Sequence, residues 1–465
     1  MSGMRQKLIS LGLVAAAALL TGTMMVLALP LGEQAWLAWF MLVPLLIATK
    51  EKGLLIGFLG GLGAVFWCGF LSTTGVFYHY KTFEPPFYWT YTGCGLFAIP
   101  FCTIFGIWSD AKNSQKSIWW FAALAVSLES ILLLKLPAPL AITQYRSPLM
   151  MVVTSLVGIW GVSFLVWFAN LACATRKAGW MVSVPIAIAS SVSMLSKPYI
   201  PENGLVLAVS QIGDAMDKEL IETHRMISDQ HPAIDVWPEF AGMNFVRGGD
   251  TAKLKELSTD GAPIVTSFRD TEMPLPRNVA SLFLNGGESP RYAKRKLFGK
   301  ETDMHTPGDH AVAVSLGSAQ VGLNICYDSC FPYIIRETSA LPGVKVVALP
   351  TIDPDSLHYF IAAMHASFTP FRSAENGVAI ARADGHFGSM VTDPRGRIVA
   401  ELHDEQGSIT GVVSGERRWT LYQVIGDSFW FLCIAVTVLY PIREALKKAK
   451  ARRELAIKSA AKETR

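Results

Sequence analysis

The stretch Gly322-Leu323-Asn324-Ile325-Cys326-Tyr327-Asp328-Ser329-Cys330-Phe331-Pro332 decides how this chain is read. A short apolar run, 321–325, stops on a cysteine. An acid follows two residues later, and Phe331-Pro332 opens a predicted helix. A thiol at a strand end, beside charge and near the positive end of a helix, is the usual setting of a nucleophile. Taken alone, a cysteine in an apolar run is more often an inert core residue. Two other segments change that reading. Val236-Trp237-Pro238-Glu239 is a strand that delivers a carboxylate, and Tyr292-Ala293-Lys294 puts a lysine after a predicted strand and turn.

Composition says where such chemistry happens. The 465 residues are 51% hydrophobic and 17% charged. Soluble domains carry about 25% charged residues, so a membrane protein with a soluble part is expected. Apolar windows of bilayer length fall at 8–29, 33–49, 53–75, 86–108, 117–136, 149–174, 178–196 and 421–441. The first is Ala-rich and short-flanked like a signal peptide, but with six more spans behind it an uncleaved helix is expected. Between the seventh and eighth windows the chain alternates short Val/Ile/Ala strands with polar turns. Strands are predicted at 205–212, 233–237, 264–268, 280–284, 311–316, 321–325, 344–349 and 378–381, and helices at 216–229 and 356–374. That alternation reads as one α/β domain with a buried sheet. The expected organisation is a membrane domain over 1–198, a catalytic domain over 204–418, an eighth span over 419–443 and a basic tail over 444–465.

Lysine and arginine set the orientation. Arg5, Lys7, Lys50, Lys52, Lys112, Lys116, Arg176 and Lys177 lie on one side, with Arg443, Lys447, Lys448, Lys450, Arg452 and Arg453 after the last span. The opposite loops carry Lys81, Lys135 and Arg146. Both termini are therefore expected in the cytoplasm and the α/β domain outside it, which in a bacterium with two membranes is the periplasm. The formal net charge of +4 follows largely from these topology signals and does not argue for a nucleic-acid partner. The basic tail is expected to rest on anionic headgroups. Cys68, Cys94, Cys102, Cys173 and Cys433 fall in apolar spans, leaving Cys326 and Cys330 in the exported domain, where a bridge across one turn has poor geometry. The nine histidines lack ligand spacing, and no metal or other cofactor is expected.

Glu239, Lys294 and Cys326, in that order, resemble the catalytic triad of the nitrilase (carbon–nitrogen hydrolase) superfamily. With eight spans around the domain, the chain resembles the apolipoprotein N-acyltransferase family. Gly158-Ile159-Trp160-Gly161-Val162-Ser163-Phe164-Leu165 is similar to its G-x-x-G-x-S-x-L segment, and Cys326-Tyr327-Asp328 to its C-Y-E. Arg382-Ala383-Asp384-Gly385 with Asp393-Pro394-Arg395-Gly396-Arg397, and Thr420-Leu421-Tyr422 with Gly426-Asp427, resemble further pieces in the same order. The resemblance implies an αββα sandwich, a phospholipid acyl donor, a diacylated lipoprotein acceptor, a monomer and no cofactor. It implies transfer of a fatty acyl chain through a Cys326 thioester to the α-amine of the acceptor's first cysteine. A membrane-bound amidase acting on an amide substrate is the alternative, and a silent scaffold the third.

The departures are local. Glu129 stands without the family's span-five arginine, and Leu136-Pro137-Ala138-Pro139 replaces F-P-W. Leu297-Phe298-Gly299-Lys300-Glu301 replaces P-F-G-E, with Glu301 as the displaced carboxylate. Thr351-Ile352-Asp353-Pro354-Asp355 replaces N-D-x-W-F in a loop expected near the acceptor or acyl chain, where two acids would favour an incoming ammonium. Supporting roles stay open. Asp328 orients the thiol region or caps the following helix; Tyr327 packs or takes part in the chemistry; Tyr292 marks Lys294 by its spacing. The run Arg291, Lys294, Arg295, Lys296, read alone, is a solvated face. Glu129 is functional by its depth in a span, or pairs with Lys135.

Overall fold

The structure is a computed structural model that describes residues 2–74, 87–111, 117–131, 139–175, 177–213, 217–246, 250–271, 275–317, 319–353 and 359–463. The N-terminal part is helical: α1 (Ser2–Ala28), α2 (Val43–Thr49), α3 (Leu54–Thr74), α4 (Phe87–Asp110), α5 (Ile118–Ile131), α6 (Pro148–Thr175) and α7 (Trp180–Met194). By length and apolar composition Met4–Ala28, Leu54–Ser72, Pro148–Thr175 and, near the C-terminus, Ser428–Ile457 can cross a membrane. Ala35–Thr49, Ile118–Ser130 and Trp180–Met194 are shorter apolar helical segments. The expected span 33–49 is broken into a short 3-10 turn, Ala35–Trp39, and α2. Asn170 of α6 explains how the break is tolerated. Its amide accepts from Leu42 N (2.8 Å) and donates to Ala38 O (2.8 Å), replacing bonds that a continuous helix would make. Lys81, Lys112, Lys116, Lys135, Arg176 and the segment 136–138 lie outside the described residues.

The α/β part is two sheets face to face. One runs β13-β1-β2-β3-β4-β5, with β6 also on β4; the other runs β12-β11-β10-β9-β8-β7. The strands are β1 (Leu205–Gln211), β2 (Ile234–Val236), β3 (Ile264–Asp270), β4 (Arg277–Leu284), β5 (Gly287–Glu288), β6 (Tyr292–Ala293), β7 (Val312–Leu316), β8 (Ala319–Leu323), β9 (Val344–Thr351), β10 (Ala379–Asp384), β11 (Ser389–Thr392), β12 (Ile398–Leu402) and β13 (Gly407–Val413). β1-β2-β3 and β8-β9-β10 are parallel, and antiparallel strands flank each trio. β1 faces β10 and β11 across the sandwich, and the central strands are buried along nearly their whole length, as strands covered on both faces are. Helices α8 (Asp217–Ser228) and α9 (Ala252–Asp260) cover the first sheet. A single turn, α10 (Glu301–Met304), precedes β7, and α11 (Pro332–Ala340) lies outside the second sheet. The helix expected at 356–374 is two, α12 (Tyr359–Ala366) and α13 (Phe368–Asn376), separated at Ser367. Four layers in the order αββα result.

The two parts meet at α6. Gly158 leaves the helical conformation there (φ 73°, ψ −179°), which frees the next amide. Ile159 N donates to the Glu375 carboxylate of α13 at 2.9 Å, and Arg372 pairs with that same carboxylate. A side chain at Gly158 would stand 2.7 Å from Tyr422 Cε2, so only glycine satisfies both the backbone and the contact. Tyr422 belongs to α14 (Leu421–Ile425), which leads into α15 (Ser428–Glu463) against α5 and α6.

Candidate active site

Parallel strands gather side chains at their carboxyl ends, and here each sheet contributes. β2 ends at Val236 and hands the chain to Trp237-Pro238-Glu239, while β8 leads to Cys326. Glu239 N donates to Thr351 O, at the end of β9, at 3.1 Å, and so ties the two sheets together beside the site. Glu239 and Lys294 are each only 2% exposed, and Cys326 6%. The sequence is forced into an unusual shape on either side: Phe240 has φ +64° and Cys326 φ +47°, conformations that cost about 1–3 kcal/mol each and persist only when surroundings impose them.

The structure brings Glu239, Lys294 and Cys326 together. Lys294 Nζ donates to Glu239 Oε1 at 2.8 Å and to Glu301 Oε2 at 2.7 Å, and the Cys326 thiol hydrogen-bonds to Glu239. Burial works against the lysine's charge, but Glu239, Cys326 and Glu301 outweigh it and hold Lys294 well above its ordinary value. Burial, then the Glu239 charge, push the thiol well up, and Lys294 only partly opposes them. The sulfur therefore rests protonated, so a reaction at it would require its proton to leave in the same step. Burial raises Glu301, but Lys294 and the N–H of Phe298 more than reverse this and bring it below the usual carboxylate range.

Of the supporting residues, Glu301 joins the group directly. Asp328 and Tyr292 lie one layer back. Asp328 Oδ2 accepts from Ile325 N (3.1 Å) and Tyr292 Oη (2.7 Å), and Oδ1 accepts from Lys296 N (2.8 Å). Asp328 thus orients the thiol turn, and α11 receives no side-chain cap from it. Burial lifts its carboxyl to about 6 against those hydrogen bonds. Tyr327 packs between Phe298 and Phe331, with ring centroids 5.0 Å from each. The basic run is not a solvated face. Arg291 pairs with Glu288 and Asp270, Arg295 with Glu337, and Lys296 Nζ lies 5.0 Å over the Phe331 ring.

The loop after β9 requires a correction, and the span carboxylate has partners of its own. Asp353 does not stand open to an ammonium group: it is buried, with His365 Nδ1 at 2.8 Å and Arg382 Nη2 at 2.5 Å. Pro354 and Asp355 lie outside the described residues. Glu129, whose expected partner Lys135 also lies outside them, accepts from Ser163, Trp167 Nε1 (2.7 Å) and Leu140 N (3.2 Å). It therefore bonds into the Gly-x-Ser segment of α6.

Reading the sequence missed Asn278, whose Nδ2 donates to Glu239 Oε1 at 2.6 Å and to Glu301 Oε1 at 3.1 Å. It also missed His365, which sits beneath the thiol turn. The signal available was a buried polar residue near the start of a largely apolar strand and a histidine in an apolar helix. Cys326, Asp353 and His365 are the metal-ligand cluster found among the described residues, with ligand atoms within 4.8 Å of one another. Their chemistry suits a metal poorly. Burial lowers His365, but Asp353 overrides it and raises the imidazole to about 10, so it is held as a cation, and Asp353 is already bonded to Arg382.

Comparison with known proteins bears on what such a site does. The profile of the carbon-nitrogen hydrolase family matches residues 248–417, and that of the apolipoprotein N-acyltransferase N-terminal domain matches residues 21–172. An apolipoprotein N-acyltransferase of Geobacter metallireducens is 24% identical over 502 residues, covering 90% of this chain and 92% of its own. Apolipoprotein N-acyltransferase 1 of Treponema denticola is 24% identical over 214 residues, covering 43% of this chain and 38% of its own. Among solved structures, an amidase from Nesterenkonia sp. is similar at TM-score 0.41 and 22% identity, covering 48% of this chain and 95% of its own.

Proposed function

We propose, from the premise that this chain belongs to the apolipoprotein N-acyltransferase family of the carbon–nitrogen hydrolase superfamily, that it moves a fatty acyl chain from a phospholipid to the N-terminal amine of a diacylated lipoprotein. The observation that carries the chemistry is the buried Glu239–Lys294 pair meeting the Cys326 thiol at a strained turn.

In the first half-reaction Glu239 takes the thiol proton as Cys326 Sγ forms a bond to the ester carbonyl carbon. The carbonyl oxygen becomes an oxyanion, held by Lys294 Nζ and by the backbone N–H of Tyr327. The ester C–O bond then breaks, Glu239 returns the proton to the departing lysophospholipid oxygen, and a thioester remains. In the second half-reaction the lipoprotein's α-amine attacks that carbonyl and Glu239 takes a proton from the nitrogen. The C–S bond breaks and the thiol is restored. The Glu301 carboxylate keeps Lys294 charged and aimed while Glu239 gains and loses its proton. Lipid tails beside the site would keep water from the thioester.

The proposal includes the topology: eight spans, both termini in the cytoplasm, the α/β domain over 204–418 in the periplasm and the chain acting as a monomer in the inner membrane. The lysine and arginine asymmetry supports it. Incubating the purified chain with phospholipid tests the reading. A hydroxylamine-labile acyl mass is expected on the peptide containing Cys326 and absent from Cys326→Ala. Label on Cys330, or label that survives Cys326→Ala, refutes the assignment. Rapid hydrolysis of the thioester with no amine present moves the reading to the amidase.

A further inference from the structure

Beneath the thiol turn, a line of polar groups ends on the main chain of the nucleophile itself. Asp353 holds His365 Nδ1 with Oδ1 at 2.8 Å and Oδ2 at 2.9 Å. His365 Nε2 lies 2.9 Å from Ser329 Oγ and 3.2 Å from the carbonyl oxygen of Cys326. Ser329 Oγ donates to that same carbonyl at 2.9 Å. Asp353, His365 and Ser329 are all buried, and they come from the end of β9, from α12 and from the turn after β8. Arg382 closes the group by pairing with Asp353 and, at 2.8 Å, with Asp384.

We propose that His365 is a positioning residue for acyl transfer. Held by Asp353, its imidazolium grips the Cys326 carbonyl directly and through Ser329, and so orients and polarises the Cys326–Tyr327 peptide whose N–H meets the oxyanion. The inference rests on the acyl-thioester reading above. In a trans peptide the C=O and N–H point in opposite directions. Donors gathered on the carbonyl side therefore fix the N–H on the other side, and a charged donor on the oxygen strengthens the N–H through the same amide. The burden on this peptide is unusual, because Cys326 has φ +47°, a conformation that its surroundings must impose. An imidazolium also suits the charges around it: Asp353 and Asp384 stand against His365 and Arg382. A histidine placed only to fill space would not direct its one free N–H at the main chain of the nucleophile.

Two rates measured on the full chain in detergent separate this role from a structural one. The first is single-turnover acylation of Cys326 by phosphatidylethanolamine and phosphatidylglycerol in mixed micelles. The second is alkylation of Cys326 by iodoacetamide, which needs the sulfur but forms no oxyanion. Removing a whole oxyanion donor slows catalysis by about 10²–10³. Weakening one is expected to cost about tenfold in His365→Gln, which keeps a neutral donor, about a hundredfold in His365→Leu and about threefold in Ser329→Ala. The phospholipid KM stays within about twofold and alkylation within about threefold. Acylation and alkylation falling together in His365→Gln and Ser329→Ala, or acylation unchanged in both, overturns the proposal. A wild-type chain that takes no acyl mass at all overturns the acyl-transfer reading, and this inference with it.

Discussion

Lys294→Met, alone and with Glu301→Gln, separates what the lysine does for the fold from what it does for the reaction. Nζ is 2.8 Å from Glu239 and 2.7 Å from Glu301, in a site where the lysine and Glu239 side chains are 2% and 1% exposed. Removing one partner of a buried pair costs about 3–5 kcal/mol, because the charge left behind is uncompensated. Here two carboxylates are left. The single substitution should lower the unfolding midpoint of the detergent-solubilised chain by about 10 °C, taking roughly 2–4 °C per kcal/mol for a domain of this size. Glu301→Gln on the same chain removes one of the two stranded charges and leaves Asn278 serving Glu239, so about half the loss should return. Thioester formation should fall about 10²–10³-fold in both variants, because neither has a cation for the oxyanion. The pH window follows from the directions of the shifts. Glu301 is depressed in the fold, so its contribution is present above the ordinary glutamate value and is lost as pH falls through its lower folded value. Lys294 is raised, so its contribution is present below the ordinary lysine value and is lost only as pH rises through a still higher one. The midpoint difference should hold steady from about pH 5 to 9 and shrink below about pH 4. A double variant that regains both its midpoint and its acylation rate to within tenfold of wild type would show that Lys294 only keeps the carboxylates apart.

Three further outcomes are expected. Acylation should fall as pH drops through about 6, where Asp328 takes up a proton and gives up an acceptor on the thiol turn; Asp328→Asn should run slower throughout and lose that limb. Because this carboxyl is raised in the fold, its contribution to stability is full below the ordinary aspartate value and is lost as pH rises through about 6. The acid loss of rate is therefore not unfolding of this group, and a midpoint that falls in step with the rate would refute the assignment. Gly158→Ala should destabilise by about 2–4 kcal/mol from strain and overpacking, read as the thermal midpoint. Tyr422→Leu in the same chain should recover only the overpacking share, and full recovery would mean that the φ of +73° carries no strain. A reporter fused near Gly407 should be active only outside the cytoplasm and one fused after Arg453 only inside; the reverse pattern removes the periplasmic reading.

What could be read from the sequence, and what could not, divides by how locally each feature is specified. The parallel strands β1, β2, β3, β8, β9 and β10 are short apolar runs bounded by turn residues, and each was visible as such. The three antiparallel strands after β10 were not read. β11 and β13 mix Ser, Thr and Gly among their apolar residues, and β12 is a five-residue run broken by Glu401 and only half-buried, so none of the three stands out as a buried strand. Glu239, Lys294 and Cys326 each follow a strand or turn that announces itself. Asn278, His365 and Arg382 reach the site only because chain segments far apart in sequence are brought together. Asp353 was misread for the same reason: an acid in a loop looks available until Arg382 and His365 are placed against it. The break at Gly158 is hidden because glycine in an apolar helix is ordinary until a carboxylate is found beside the freed amide.

That amide has a consequence for how the chain is made. Ile159 and the carboxylate it bonds are 216 residues apart, so ribosome and translocase will have delivered α6 long before Glu375 exists. Until α13 has folded, the sixth helix holds an open rung with nothing to close it. Helix six is thus completed by the last third of the chain. A nascent protein stalled before residue 375 would present an unfinished helix to the quality-control proteases of the membrane, and a chain that passes that point is sealed by its own catalytic half.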